Sequence, residues 1–226
     1  MKILLVAATS FEIQPTIDYL QTKHYKVHSH EISYIITGVG AVATTYLLTT
    51  EILKSQPHLI LQAGIAGCFS SLALAETVII KDDCFADLGV TENKQFKNIF
   101  DLQLADRDEY PFSNGLLAND NKRLLSMLPI EKVSSATVNE ITTDKEKIKW
   151  HQQNKPAVVE SMEGAAFHYV CLQQKIPFLQ IRSLSNYVGE RDKTKWKLKE
   201  SIQSLNETLI SLIEKTGEHD ETYFRL

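Results

Sequence analysis

Apolar positions follow two different spacings along the chain, and these spacings predict its elements. Short apolar runs rich in Ile, Leu and Val predict buried strands, whereas apolar positions three or four residues apart predict helices. Buried strands are predicted at residues 3–8, 32–37, 59–62, 77–80, 132–138, 157–160 and 178–181. Helices are predicted at residues 11–20, 41–53, 163–174 and 192–215, the first with Ser10 as its N-cap.

The alternation of strands and helices predicts a mostly parallel sheet with helices on both faces. We therefore expect the α/β class, as a three-layer α/β/α sandwich around a mixed, mostly parallel central sheet. Residues 87–121 are polar, and we interpret them as a long loop that a partner subunit helps to order. Residues 217–226 are expected to form a loose tail. Because the sequence contains no repeat or linker, one domain over residues 1–226 is predicted.

Composition and charge argue against several classes of partner. The chain has 226 residues, a formal net charge of -4 and no cluster of Lys and Arg that could bind phosphates, so nucleic acid is not an expected partner. The acidic balance also disfavours anionic membranes. No apolar stretch approaches the roughly 20 residues of a membrane span. Three widely spaced cysteines, an odd number, are typical of a reducing compartment, so we expect a cytoplasmic protein.

Two candidate segments follow strands in the first third of the chain. Glu12 comes just after the first predicted strand, in a first helical turn, where a carboxylate can alternatively serve only the helix dipole. Gly64 and Ala66 belong to a run of small residues after a buried strand. Such residues either let backbone amides approach a ligand closely or form a tight turn. Ligands of open α/β sheets bind beyond the carboxyl ends of strands, which makes both segments candidate sites.

Two further candidate segments follow the last two predicted strands. Met162 and Glu163 lie between a strand and a helix that begins with small residues, a place where Met162 could also be a core residue. Arg182 lies near the end of a buried strand, and burying an arginine is costly without an acidic partner. Glu12 or Glu163 could be that partner.

In combination and in this order, the four segments resemble the purine nucleoside phosphorylase and nucleosidase superfamily over nearly the whole chain. The most specific parts are the run SMEGAA at 161–166 and the run RSLSN at 182–186. Within that superfamily, the run SNYVGER at 185–191, with Trp196 after it, is similar to the futalosine hydrolases. The resemblance implies a nucleoside phosphorylase-like fold, cleavage of an N-glycosidic bond, and no metal or organic cofactor.

The resemblance also implies a role for each catalytic candidate. Glu12 would hold and activate the attacking water, and Glu163 would accept hydrogen bonds from the ribose 2′-hydroxyl. Arg182 would orient the water and the acidic groups, Met162 would pack on the ribose, and Asn186 would read the purine. These roles suit an oxocarbenium-like transition state, which nearby carboxylates stabilise and a positioned water attacks.

The remaining candidates are expected to bind other parts of the substrate. Family members often place an aromatic ring against the purine where this chain has Glu140 and Ile141. Arg191, with Tyr187 or Trp196 beside it, could pair with a carboxylate beyond the ribose, or could be a surface residue before a helix cap. The predicted substrate-binding set is Gly64, Ala66, Asn139, Glu140, Ile141, Met162, Tyr187 and Arg191.

The choice between hydrolysis and phosphorolysis depends on the loop at residues 8–12. Phosphorylases of this superfamily hold phosphate with arginines, whereas this loop contains no basic residue. The carboxylate of Glu12 would repel phosphate but suits a neutral water molecule. Hydrolysis is therefore the predicted reaction.

The most specific hypothesis is hydrolysis of futalosine to hypoxanthine and dehypoxanthine futalosine in menaquinone biosynthesis, or of its 6-amino relative aminodeoxyfutalosine. One alternative is a methylthioadenosine/adenosylhomocysteine nucleosidase, and another is a non-catalytic nucleoside-binding protein on the same fold. The expected partners are a small purine nucleoside, water and a second copy of the chain in a homodimer or higher homo-oligomer. Residues 108–112 are candidates for capping a neighbouring subunit's site.

Overall fold

The computed structural model describes residues 1–69, 72–93, 95–154 and 157–224. The strands in these ranges are β1 (Lys2–Ala7), β2 (Lys26–Val27), β3 (His30–Ile36), β4 (Leu59–Cys68), β5 (Thr77–Asp83), β6 (Gly89–Glu92), β7 (Gln95–Asn98), β8 (Leu117–Ala118), β9 (Lys132–Thr137), β10 (Ala157–Ser161) and β11 (Phe178–Tyr187). The helices are α1 (Ser10–Thr22), α2 (Ala41–Ser55), α3 (Lys122–Ser126), α4 (Lys145–Asn154), α5 (Gly164–Gln173), α6 (Leu198–Thr216) and α7 (Glu221–Phe224).

The central sheet is mixed, with strand order β10-β9-β5-β11-β4-β1-β3-β2. Strand β4 is parallel to both of its long neighbours, β1 and β11, whereas β5 is antiparallel to β11. Strand β10 runs parallel to β9 and also pairs antiparallel with the end of β4. This second pairing brings the carboxyl ends of several strands to one place.

Helices cover both faces of the sheet, which confirms the predicted α/β/α layers. On one face, Leu205 and Leu209 of α6 pack with Ile13 of α1 in a cluster that includes the sheet residues of β1 and β4. On the other face, Leu48 of α2 and Phe167 of α5 form a second cluster. No helix in the described ranges is long and apolar enough to cross a membrane.

Three predicted boundaries near the site are wrong. The N-cap of α1 is Thr9, not Ser10, because Thr9 has extended dihedral angles and the Glu12 carboxylate accepts its backbone N–H. Strand β4 does not end at Gly64, and β11 does not end at residue 181. The two strands pair from Phe178 to Tyr187, and this ladder keeps both extended through their small and polar residues.

The C-terminal region also differs from its prediction. The last helix begins at Leu198 rather than at 192, because Asp192 caps a separate 3-10 turn at Lys193–Lys195 and Trp196 is extended. Residues 217–226 were predicted to form a loose tail. As far as residue 224, this segment instead contains helix α7 and packs against the rest of the chain. Phe224 is fully buried, and its carbonyl accepts a hydrogen bond from Asn121 Nδ2.

The polar stretch at 87–121 contains more structure than a loop. Strands β6 and β7 pair as a hairpin, and β8 extends the central sheet beside β5. Helices α3 and α4 were not predicted either. Their short or strongly polar sequences lack the apolar spacing that marks the longer helices.

Candidate active site

A cavity of about 290 Å³ lies at the carboxyl ends of β1, β4, β10 and β11. Most of the predicted site residues line it, namely Glu12, Ala66, Ile141, Met162, Glu163, Asn186 and Arg191. The cavity therefore brings together residues from all four sequence segments, as the strand-end rule predicts.

Glu12 is held rigidly in the first turn of α1. Its Oε2 accepts hydrogen bonds from the backbone N–H and the hydroxyl of Thr9, both at 3.0 Å. Its Oε1 accepts the backbone N–H of Ile65 at 3.0 Å. A carboxylate has about four acceptor positions, so three protein donors leave one position for a ligand or a water molecule. Glu12 is 6% exposed, which limits competition from bulk solvent.

Glu163 is the acidic partner of Arg182. Its Oε2 lies 3.5 Å from Arg182 Nη2, and its Oε1 accepts the backbone N–H of Gly40 at 3.0 Å. Arg182 is 1% exposed and also donates from Nη2 to Gln62 Oε1 at 3.2 Å. In a pair buried to this degree, moving either side chain away would leave an uncompensated buried charge, which is costly. The pair therefore holds both side chains in place.

Gly64 lies in strand β4, between the guanidinium of Arg182 and the carboxylate of Glu12, and not in a turn. A Cβ at this position would lie 2.3 Å from Arg182 Nη1 and 2.9 Å from Glu12 Oε1. Only glycine leaves room for both groups at this point of β4. Gly64 thus shapes the site from beneath and is not among the residues that line the cavity.

Asn186 lies just after an irregularity in β11. The pairing register with β4 shifts between Leu184 and Asn186, and such a bulge re-aims the following side chain. Ser185 Oγ donates to Asn186 Oδ1 at 2.9 Å, and Asn186 Nδ2 donates to the carbonyl of Tyr187 at 3.0 Å. The amide is thereby oriented at the wall of the cavity.

The cavity mouth carries Arg191 and Trp196. The Arg191 guanidinium lies 5.7 Å from the Trp196 ring centre, within the range of a cation–π contact. Trp196 Nε1 donates to the carbonyl of Glu190 at 3.1 Å, and Glu190 in turn pairs with Lys195 at 2.7 Å. This arrangement offers an aromatic face and a positive charge to a ligand that protrudes from the cavity.

Besides Gly64, three predicted binding residues do not line the cavity. The side chain of Tyr187 is 44% exposed, and its hydroxyl donates to the carbonyl of Leu72. Asn139 and Glu140 are exposed, and Asp87 accepts the backbone N–H groups of both. Of this loop, only Ile141 reaches the cavity. Alternation along an extended strand explains Tyr187, whose side chain points away from the face that Asn186 shares.

Glu160 lines the cavity, although the sequence analysis assigned it no function. It is the fourth residue of β10 and is 7% exposed. Its Oε1 accepts the backbone N–H of Thr142 at 3.2 Å, and burial raises its pKa. An acidic residue inside an otherwise buried strand, beside Val158 and Val159, is the feature of the sequence that could have revealed it.

A buried polar layer lies beneath the start of α5. A Cβ on Gly164 would lie 2.2 Å from Asp83 Oδ2 and 2.4 Å from Gln180 Nε2, so this glycine makes room for both groups. Thr137 Oγ donates to Asp83 Oδ1 at 2.9 Å. Burial raises the pKa of Asp83 to about 7 and lowers the pKa of His168 to about 4.

The arrangement suits cleavage of a bond between a sugar and a good leaving group. Glu12 has an acceptor position for water, Glu163 is a fixed anion, and neither depends on a metal ion for its place. Among the described residues, no group of three or more His, Cys, Asp or Glu side chains is arranged to hold a metal. Carboxylates at such positions can act as a general base and stabilise developing positive charge.

The chain belongs to the phosphorylase superfamily, whose family model matches residues 2–216. It is 28% identical to futalosine hydrolase of Thermus thermophilus over 188 residues, covering 81% of this chain and 82% of that protein. It is also 28% identical to 5′-methylthioadenosine/S-adenosylhomocysteine nucleosidase of Buchnera aphidicola over 174 residues, covering 69% and 66%.

A solved structure has the same fold. The native structure of futalosine hydrolase of Helicobacter pylori matches with a TM-score of 0.78 at 18% identity, over 95% of this chain and 98% of that one. This match confirms the predicted nucleoside phosphorylase-like fold.

Proposed function

We propose that this chain hydrolyses the N-glycosidic bond of a purine nucleoside. The observation that carries the proposal is the cavity in which Glu12 and Glu163 are both buried, with the charge of Glu163 balanced by Arg182. Membership of the phosphorylase superfamily and the similarity to named nucleosidases and futalosine hydrolases support the same reaction.

In this mechanism a water molecule donates a hydrogen bond to the one acceptor position of the Glu12 carboxylate that no group among the described residues uses. The bond from C1′ to the purine breaks first, so positive charge develops on the ribosyl group and the bonding electrons move onto the base. Glu163 accepts a hydrogen bond from the ribose 2′-hydroxyl, and Met162 packs on the sugar. The water then attacks C1′ and passes a proton to Glu12, which acts as a general base.

Arg182 has a positioning role in this mechanism. It is held by Glu163 and Gln62, and its Nη1 approaches the same point of β4 as the Glu12 carboxylate. A phosphate nucleophile would need basic groups at the Glu12 end of the cavity. Among the described cavity-lining residues, the basic side chain is Arg191, which lies at the mouth. Water is therefore the proposed nucleophile.

We propose futalosine as the substrate, with hypoxanthine and dehypoxanthine futalosine as products in menaquinone biosynthesis. Asn186 carries an amide that can donate to a 6-oxo group and accept from a protonated ring nitrogen. Arg191 and Trp196 at the mouth suit a benzoate group beyond the ribose, by ion pairing and stacking. The futalosine hydrolases of Thermus thermophilus and Streptomyces coelicolor are both relatives of this chain, at 28% and 25% identity.

A methylthioadenosine/adenosylhomocysteine nucleosidase is the second candidate, since two proteins of that name are relatives at 28% and 27% identity. The cavity mouth separates the two. The methylthio group of methylthioadenosine carries no anion for Arg191 to bind. The homocysteine group of adenosylhomocysteine carries a carboxylate but no aromatic ring for Trp196, whereas benzoate offers both. A non-catalytic nucleoside-binding protein is disfavoured because binding alone does not require a buried, oriented Glu12.

We propose that the protein works in the cytoplasm as a homodimer. Helix α2 exposes Val42, Tyr46 and Leu53, which are 83%, 70% and 68% accessible, and Val39 just before it is 58% accessible. Exposed apolar residues at helical spacing are typical of a subunit interface. Sedimentation analysis of the wild-type protein and of Tyr46→Glu would test the proposal, with a dimer expected for the first and a monomer for the second.

The experiment that tests the reaction is a substrate panel assayed with and without inorganic phosphate. Futalosine, aminodeoxyfutalosine, methylthioadenosine and inosine would be incubated with the protein, and free base and sugar product measured. We expect phosphate-independent release of base, fastest from futalosine. Formation of a ribose 1-phosphate would contradict hydrolysis, and release of no base from any nucleoside would favour the binding protein.

A further inference from the structure

Glu160 and Asn186 lie on either side of Gly67. In the sheet, Glu160 of β10 pairs directly with Gly67 of β4, and Asn186 of β11 pairs with the same residue. Directly paired residues project their side chains to the same face of a sheet. Because Gly67 has no side chain, nothing from β4 separates the two groups on that face. Both line the cavity.

The Glu160 carboxyl is only half satisfied by the protein. Its Oε1 accepts the backbone N–H of Thr142 at 3.2 Å. Its Oε2 is buried and has no hydrogen-bond partner among the described residues. Thr142 follows Ile141, which lines the same side of the cavity. An unpartnered oxygen on a side chain that is more than nine-tenths buried is costly unless it is protonated or a ligand fills the gap.

The three buried carboxylates of the cavity, Glu12, Glu160 and Glu163, differ in their surroundings. The Glu12 oxygens accept three hydrogen bonds, and Glu163 pairs with Arg182. Glu160 has no cationic partner among the described residues. Burial raises its pKa, hydrogen bonds from Thr142 lower it, and the neighbouring charge of Asp87 raises it further. Glu160 therefore keeps its proton to a higher pH than an ordinary glutamate does, and sites in which one carboxyl donates a proton while another accepts one use such a raised pKa.

The proposed reaction requires such an acid. When the glycosidic bond breaks, its electron pair moves onto the purine, and the base leaves more easily if a ring nitrogen gains a proton. Asn186, the amide at the base side of the cavity, has no acidic proton to give.

We propose that Glu160 is a catalytic residue that delivers a proton to a ring nitrogen of the leaving purine, while Asn186 orients the base; this proposal rests on the proposed nucleoside hydrolysis. The bond from C1′ to the purine breaks, and the purine takes the bonding electrons and the Glu160 proton. A bond forms from the water oxygen to C1′, and the proton released by water goes to Glu12. Exchange with solvent then returns Glu160 to its acid form and Glu12 to its carboxylate.

The test compares Glu160→Gln and Glu160→Asp by the pH dependence of kcat. In the wild-type protein, kcat should fall as the pH rises through the pKa of the acid. The Gln variant keeps an acceptor for Thr142 but has no proton to give, so kcat should fall about 10²–10⁴-fold and the alkaline decline should disappear. The Asp variant should be slower than wild type but retain the decline.

Glu190→Gln is the matched control, because Glu190 also lines the cavity but pairs with Lys195. It should keep the alkaline decline. Melting temperatures of all variants separate loss of folding from loss of chemistry. Wild-type kcat in the Gln variant, or a slower rate with the alkaline decline unchanged, would overturn the assignment of Glu160. If the wild-type protein itself releases no base from the purine nucleosides, the proposed function fails instead.

Discussion

The floor and the mouth of the cavity are built in opposite ways. The floor consists of Glu12 and Glu163, which line the cavity, and of Arg182, which does not line it but pairs with Glu163 behind it. The three residues are 6%, 5% and 1% exposed and are held by backbone N–H groups or by each other. The mouth consists of Arg191 and Trp196, which lie on an irregular segment after β11 and touch each other through a single cation–π contact.

This difference separates two tasks. Side chains that are already fixed lose little conformational entropy when the substrate binds, so the floor is preorganised for chemistry. The mouth loses more entropy on binding but can change without disturbing the sheet. We therefore expect substitutions in the floor to lower kcat, and substitutions in the mouth to alter substrate preference.

The largest effect is expected from Glu12→Gln. An amide cannot take the proton from water, so kcat should fall about 10²–10⁴-fold. One donor of Thr9 or Ile65 would face the amide NH₂, so a modest decrease in melting temperature is also expected. Steady-state kinetics with thermal melting would measure both. A kcat near that of wild type would remove Glu12 from the mechanism.

Gly64→Ala tests the floor without changing a catalytic group. The new Cβ would displace Arg182 Nη1, Glu12 Oε1 or both, and a shift of about 1 Å can lower a rate about 10²-fold. Steady-state kinetics and the melting temperature of the variant would be measured together, so that loss of folding is separated from loss of rate. A kcat near that of wild type in a folded Gly64→Ala variant would contradict the special rigidity of the floor.

Asn186→Asp tests the part of the cavity wall that lies between the floor and the mouth. An Asn donor opposite a 6-amino group is a mispaired buried contact that costs about 1–3 kcal/mol, or roughly tenfold to a hundredfold in kcat/KM. The Asp variant should therefore shift kcat/KM towards a 6-amino nucleoside relative to its 6-oxo counterpart. A matched pair that differs only at position 6 gives the ratio. An unchanged ratio with both activities intact would mean that Asn186 does not read the base.

The smallest effect is expected from Arg191→Ala at the mouth. The variant loses the exposed guanidinium that would pair with the benzoate of futalosine. Because a solvent-exposed ion pair contributes little free energy, KM for futalosine should rise by only about a few-fold. Inosine has no benzoate, so its KM should stay nearly constant and serves as the control. Equal changes for the two substrates would show that Arg191 does not bind the carboxylate.

The sequence could predict the floor better than the mouth. Glu12, Met162 and Glu163 follow strand ends, and the topology of an α/β sheet brings strand ends together. The side chain of Tyr187 points away from the cavity because β11 continues past residue 181. That continuation results from the pairing of β11 with β4, which the local sequence does not reveal.

Two other misses have different origins, one in a long-range contact and one in a local turn. Glu160 was overlooked because its significance comes from the antiparallel pairing of β10 with β4, between residues that are far apart in the sequence. The start of α6 at Leu198 was missed because Asp192 caps a local turn instead of the helix. Local patterns predict elements, whereas contacts between distant strands decide which side chains meet.

The buried layer beneath α5 has a consequence for how folding responds to acid. Asp83, with its pKa raised from 3.8 to about 7, binds more protons in the folded state, so its contribution to stability is lost as the pH rises from about 4 to about 7. His168, with its pKa lowered from 6.5 to about 4, binds fewer protons when folded, so its contribution is lost as the pH falls from about 6.5 to about 4. Over the shared range the two slopes have opposite signs, and proton uptake by one residue compensates for proton release by the other. Folding at this layer is thereby buffered against moderate acidification, and Asp83→Asn should unmask a melting temperature that rises with pH between about 4 and 6.5.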